Sequence, residues 1–212
     1  MMNCHRVLVL TPHTDDAELG CGGTIARLIE EDVKVFVAVF STAEESVPEG
    51  KAPDTLKREF LEAMPILGVP LANVSVYGYP VRRLSYYRQE VLEEMVKLRR
   101  VIDPDLVMLP SENDVHQDHQ VVHMEGLRAF KDISILGYEL PWNHVKFTGQ
   151  AFVTLKRHHI ERKWQALQAY KSQFELKRPY FSSEFVQGLA TVRGTQVKAE
   201  MAETFEVLRV KW

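Results

Sequence analysis

The chain carries only two cysteines, Cys4 and Cys21, among its 212 residues. No Cys-x-x-Cys pair exists, which excludes a cysteine-rich structural zinc site. Two isolated thiols read as reduced side chains of a cytosolic protein rather than as a disulfide. No apolar run approaches the roughly 20 residues of a membrane span. The short stretch after Arg6 also lacks the roughly 7–15 apolar residues of a secretory signal. The expectation is a cytoplasmic protein with no membrane span. Charge of one sign is scarce as well: 26 basic residues stand against 29 acidic ones, for a net charge of −3. With no basic stripe, nucleic acid is not an expected partner. Nor is there a complete dinucleotide fingerprint. Gly20-Cys21-Gly22 would need Gly or Ala at position 25, which is Ile, and Ser41-Thr42 stand where an acidic residue should close the second strand.

What is present is the pattern of an α/β protein. Arg6 to Leu10 and Val33 to Phe40 are apolar and β-branched, and read as buried strands. Between them, Ile25, Leu28 and Ile29 recur at helical spacing over Thr24 to Glu31. Strand, helix, strand is a βαβ unit, which implies parallel strands. Ser41 to Asp54 is a polar loop, followed by a helix from Asp54 or Thr55 to Leu67, ended by Gly68. Val74 to Tyr77 reads as a short strand, Gln89 to Ile102 as an amphipathic helix, and Asp105 to Leu109 as another buried strand. A helix over His119 to Phe130 and strands at Ile133 to Leu140 and Ala151 to Leu155 follow. After them come a helix over His159 to Tyr170, a loop over Glu175 to Gly188, a helix over Ala199 to Phe205 and a strand over Val207 to Val210. The whole, residues 1–212, is expected to form one Rossmann-like three-layer α/β/α domain with a mostly parallel central sheet.

Two polar turns carry the chemistry. The first strand runs into Thr11-Pro12-His13-Thr14-Asp15-Asp16 and then the glycine-rich Gly20-Cys21-Gly22-Gly23. A later buried strand runs into Asp114-Val115-His116-Gln117-Asp118-His119. In a parallel sheet both turns open on the same edge, where ligands bind. Imidazoles and carboxylates converging there supply what a catalytic metal needs: three protein ligands and an open position. Adjacent Asp15 and Asp16 point different ways, so one can ligate while the other faces substrate. Of His116 and His119, one can bind metal while the other meets the substrate, and Asp118 can accept from an imidazole N–H. Taken alone, each turn is equally readable as a capped helix start. HExxH is absent because Gln120 follows His119, so His123 reads as packing; His5, His144, His158 and His159 read as structural or exposed, and Cys21 as a small buried residue.

Pro12-His13-Thr14-Asp15-Asp16 with Gly20 to Ala26, and then His116-Gln117-Asp118-His119, resemble the paired signatures of the PIG-L/LmbE-like N-deacetylases. Weaker echoes run from Arg58-Glu59 to Leu67-Gly68, from Lys163 to Gln173, and from Arg193-Gly194 to Phe205. The resemblance implies a zinc (Zn2+) hydrolase that removes acetyl groups from N-acetyl amino sugars or their conjugates, with another divalent metal compatible. It implies His13, Asp16 and His119 as metal ligands, Asp15 as general base, His116 as the imidazole that stabilises the oxyanion, and Asp118 as its orienting partner. The partner is then a small-molecule N-acetyl amino-sugar substrate, with a homo-oligomer left open. Thr14 and Gln117 replace signature prolines that shape the turns. Leu56 stands where several members carry a substrate-binding Arg, and Asp114 where some carry a Tyr that assists the oxyanion. Hydrolysis of another amide or ester, or sugar binding without turnover, are the alternatives, and the substrate-binding residues are not identified.

Overall fold

The computed structural model describes residues 4–211. In chain order the elements are β1 (Arg6–Thr11), α1 (Asp16–Glu30), β2 (Lys34–Val39), α2 (Thr55–Leu67), β3 (Val74–Val76), α3 (Arg88–Ile102), β4 (Leu106–Pro110) and α4 (Gln117–Ala129). They continue with β5 (Ser134–Tyr138), β6 (Ala151–Leu155), α5 (Arg157–Leu167), α6 (Lys171–Phe174), α7 (Ser183–Thr195) and β7 (Met201–Arg209). The strands form one sheet in the order β3-β2-β1-β4-β5-β7-β6. β3 through β5 are parallel, and β7 runs antiparallel to both β5 and β6.

Alternation along the strands divides the core into two layers. Val7 and Val9 of β1 face one cluster, built with Ile25 of α1, Phe60 and Met64 of α2 and Ile160 of α5. Leu8 and Leu10 face the other, built with Val91 and Met95 of α3 and Val121 and Val122 of α4. The parallel strands are therefore covered on both sides, as their continuous apolar runs require. The chain builds outward from β1 to β2 and β3, then returns to place β4 on the other flank of β1. The crevice between the carboxyl ends of β1 and β4 is the topological switch point, where ligands of such sheets bind.

Three expectations are corrected. The first helix starts at Asp16, not Thr24, so Gly20 to Gly23 form its interior rather than a turn before it. The helix is broken once, at Cys21 (φ −147°, ψ 22°), and a buried ion pair spans the break. Glu203 accepts from the N–H groups of Gly23 (3.0 Å) and Thr24 (2.7 Å), capping the second segment. Lys163 Nζ donates to the Leu19 carbonyl (2.8 Å), closing the first, and to Glu203 itself (2.7 Å). The glycines permit close approach: a Cβ at Gly20 would fall on the Tyr138 ring, and one at Gly23 would meet Leu155 at 2.7 Å.

The second correction is that Ala199 to Phe205 is not a helix but lies largely in β7, where Met201 to Glu206 are buried on both faces. Two-sided burial erases the alternation that marks a strand, and Glu203 and Glu206 imitate a helix former. Third, α7 begins within the segment expected to be a loop, with Ser182 Oγ accepting from Phe185 N–H as its cap. Both cysteines are free, Cys21 buried.

Candidate metal centre

The first turn is wound tightly enough to return Asp16 onto His13. Thr11 Oγ1 donates to the His13 carbonyl, and the His13 N–H donates to Asp16 Oδ2 at 2.8 Å. The second turn is built around Asp114, whose Oδ1 accepts from the His116 N–H at 2.9 Å. His116 then caps α4, its Nδ1 accepting from the Asp118 N–H at 3.2 Å, so that His119 falls in the helix's first turn.

Three donor atoms meet between the turns. His13 Nδ1 and His119 Nε2 are 3.2 Å apart, and each lies 3.3 Å from Asp16 Oδ2. Zn–N and Zn–O bonds of about 2.0–2.1 Å put donors ~3.3–3.4 Å apart around a tetrahedral ion, so the triangle has the edge a metal of this size requires. Outer carboxylates set the tautomers. Asp118 Oδ2 pairs with His13 Nε2 at 3.0 Å, and Asp114 Oδ2 with His119 Nδ1 at 2.7 Å. Each holds one ring nitrogen as N–H and leaves the other's lone pair toward the triangle. The Asp16 carboxylate beside His13 and His119 completes a candidate cation site.

These contacts change the pairing read from the sequence. The Asp118 carboxylate orients His13, not His116, and also accepts from the N–H groups of Arg82 (2.5 Å) and Leu84 (3.1 Å). Asp114, which in sequence is only a departure from the family pattern, is the carboxylate that holds His119. His116 brings a nitrogen within 4.8 Å of those of His13 and His119. Its Nδ1 already accepts from the Asp118 N–H, so in the neutral ring Nε2 carries the proton and is available as a hydrogen-bond donor. Burial, with His119 and His13 beside it, pulls its pKa down to about 4. His13 goes the other way, to about 10: burial opposes the charge, but the hydrogen bonds to Asp118 and Asp16 outweigh it. That preference for positive charge is met equally by a cation in the triangle.

Asp15 lines the same cavity, half-buried, with its pKa raised to about 6 by burial and by the charge of Asp16, against the pull of His13 and Arg178. The cavity is about 310 Å³ and is walled by Leu56, Trp142, Arg178 and Tyr180 in addition to the polar turns. Its far wall comes from the segment expected to be a featureless loop; the aromatic pair Trp142 and Tyr180, separated widely in sequence, gives no local signal. His123 is buried with Nδ1 on the Pro110 carbonyl at 2.8 Å, as the packing reading expects. A second group, Glu30 with His158 and His159, lies at the other end of α1. There His159 Nδ1 accepts from the Lys156 N–H, so its Nε2 is a donor to Glu30 (2.8 Å) and has no lone pair for a metal.

A mostly parallel α/β sheet with a His–Asp–His donor triangle at its switch point, beside a cavity lined by the Asp15 carboxylate, defines the class: an α/β protein with a candidate metal-assisted catalytic centre. The family description "GlcNAc-PI de-N-acetylase" (PIG-L) matches residues 8–130, and the chain belongs to that family. Its curated relatives include the "Uncharacterized deacetylase YaiS" of Escherichia coli (strain K12), 29% identical over 78% of this chain and 90% of the relative. They also include the "Probable N-acetyl-alpha-D-glucosaminyl L-malate deacetylase 2" of Bacillus anthracis, 29% identical over 85% of this chain and 88% of the relative. Among solved structures, the conserved protein TT1542 from Thermus thermophilus superimposes with a TM-score of 0.80 at 26% identity, over 97% of this chain and 96% of that one.

Proposed function

We propose that the chain is a zinc-dependent N-deacetylase that hydrolyses the acetamide of an N-acetylated amino sugar or its conjugate. The observation that carries the proposal is the triangle of His13 Nδ1, Asp16 Oδ2 and His119 Nε2 at 3.2–3.3 Å, with Asp15 free in the adjoining cavity. The names of the relatives from Escherichia coli and Bacillus anthracis point the same way.

His13, Asp16 and His119 would hold the zinc, which when bound would act as a Lewis acid and lower the pKa of water from nearly 16 toward ~7. Asp15 takes the proton from the attacking water. His116 Nε2–H donates to the oxygen of the acetyl carbonyl as that oxygen becomes negative; removing one such donor commonly costs ~10²–10³ in turnover. The C–N bond then breaks, and the proton held by Asp15 goes to the departing amine, giving acetate and the free amino sugar. Asp114 and Asp118 keep His119 and His13 in the tautomers the metal needs. The proposal extends to a cytoplasmic setting, in which Cys4 and Cys21 stay reduced.

The test is release of primary amine from a panel of N-acetylated sugars and conjugates, with and without chelator. Chelator-sensitive release is expected. Release of acid from esters but no amine would favour a different hydrolase, and tight sugar binding with neither product would favour a carbohydrate-binding protein. Among the described residues no helix is long and apolar enough to cross a membrane.

A further inference from the structure

Two arginines that the proposed chemistry does not use, Arg82 and Arg178, are among the residues lining the cavity, and both are exposed. Among the described residues neither forms an ion pair with a carboxylate, though Arg178 is near enough to Asp15 to pull its pKa down. Arg178 Nη1 donates to Tyr180 Oη at 2.8 Å, and its Cζ lies 5.9 Å from the centroid of that ring. Tyr180 is stacked on Trp142, with centroids 3.8 Å apart and planes 10° from parallel. The guanidinium thus rests on a rigid aromatic wall while most of its five N–H donors are left without a protein acceptor.

Arg82 reaches the cavity by a different route. Its backbone is left-handed (φ 63°), a conformation that residues with a side chain seldom adopt, and its N–H is tied to the Asp118 carboxylate that orients His13. Arg82 also borders a second groove with Arg83, Tyr86 and Tyr87. Arginine's planar fork matches the oxygen pairs of phosphate and carboxylate groups. A neutral N-acetyl sugar would leave both forks to water.

We propose that Arg178 and Arg82 form an anion subsite at the mouth of this cavity, so that the acylated amine it takes carries a phosphate or carboxylate group. The inference rests on the deacetylase reading for the reaction, but binding can be measured without it. Turnover is compared for N-acetylglucosamine, N-acetylglucosamine 1-phosphate and N-acetylmuramic acid. The proteins are wild type, Arg178→Gln and Arg82→Gly, the last a change that a left-handed residue accommodates. In the wild type at least one anionic sugar is expected to exceed the neutral one about tenfold or more in kcat/KM. The better of the two anionic sugars identifies the group recognised. Each variant should bring that ratio toward one, mainly through KM, and added salt should lower it. A neutral sugar that equals or exceeds both anionic ones, or variants that reduce all three sugars by the same factor, would overturn the subsite.

Calorimetry with glucosamine, glucosamine 1-phosphate and muramic acid separates the two readings. A preference for the anionic amines that the variants abolish, with no amine released from any sugar, keeps the subsite and removes the deacetylase. Amine release with no such preference does the reverse.

Discussion

Lys163→Met tests how the break in α1 is held. Lys163 and Glu203 are almost fully buried, with 5% and 7% of their side chains exposed. The substitution keeps most of the side chain's volume but strands Glu203 as a buried charge and leaves the Leu19 carbonyl without its donor. Removing one partner of a buried pair costs about 3–5 kcal/mol. Glu203 keeps the N–H groups of Gly23 and Thr24, so the lower end applies, about 3 kcal/mol. At ~2–4 °C per kcal/mol for a chain of this size, Tm should fall by about 10 °C. Urea unfolding measures the free energy and a thermal melt the Tm, both followed by circular dichroism with chelator present so that metal linkage does not enter. The double variant Lys163→Met/Glu203→Met removes both charges and should recover part of the loss, since an apolar pair commonly replaces a buried ion pair at little cost. A loss under about 1 kcal/mol in the single variant, or a double variant no better than it, would refute the reasoning. Asp16 sits at the start of the segment that Lys163 closes, so the single variant should also bind metal less tightly.

Two further outcomes follow from buried carboxyls. Asp114→Asn removes the charge on His119 Nδ1 and permits the wrong tautomer; metal affinity, measured by competition with a chromogenic chelator, should fall about 10–100-fold, and an unchanged affinity would remove Asp114 from the centre. Glu18 is fully buried, and its pKa is raised to about 8 from 4.5 by burial, with Asp15 and Asp16 adding to the shift against the bond from Tyr170. Between those values the unfolded chain has released a proton that the folded chain keeps, so stability falls as pH rises, by on the order of 4 kcal/mol across the window. Glu18→Gln should flatten that slope in urea midpoints taken at pH 5 and pH 8; equal slopes would contradict the buried acid.

The two polar turns are legible in the sequence because chemistry is local there: each follows a buried strand and packs its imidazoles and carboxylates within a few residues, and the βαβ pattern places both on one edge. The pairings across the turns are not. Asp118 has His116 and His119 beside it in the chain, yet its carboxylate reaches His13 on the other turn, a contact that only folding creates. The glycines mislead for a related reason. They read as a turn because nothing nearby explains them, and their explanation lies in Tyr138 and Leu155, which close on α1 from distant strands. Glu203 likewise falls in a segment, Ala199 to Phe205, that reads as a helix, and its bonds to Lys163 and to the broken α1 come only with folding. Arg178 and Tyr180 lie in a segment without periodicity, where side chains are chosen by the cavity they face rather than by the backbone they sit on.

The most direct test of the central claim measures metal content and amine release together in wild type, His119→Ala and Asp15→Asn. The account predicts a divalent ion and chelator-sensitive release in the wild type, loss of both in His119→Ala, and in Asp15→Asn a retained ion with turnover lowered about 10²-fold or more. A His119→Ala protein that keeps its full metal complement, or a metal-loaded Asp15→Asn protein that remains fully active, would contradict it.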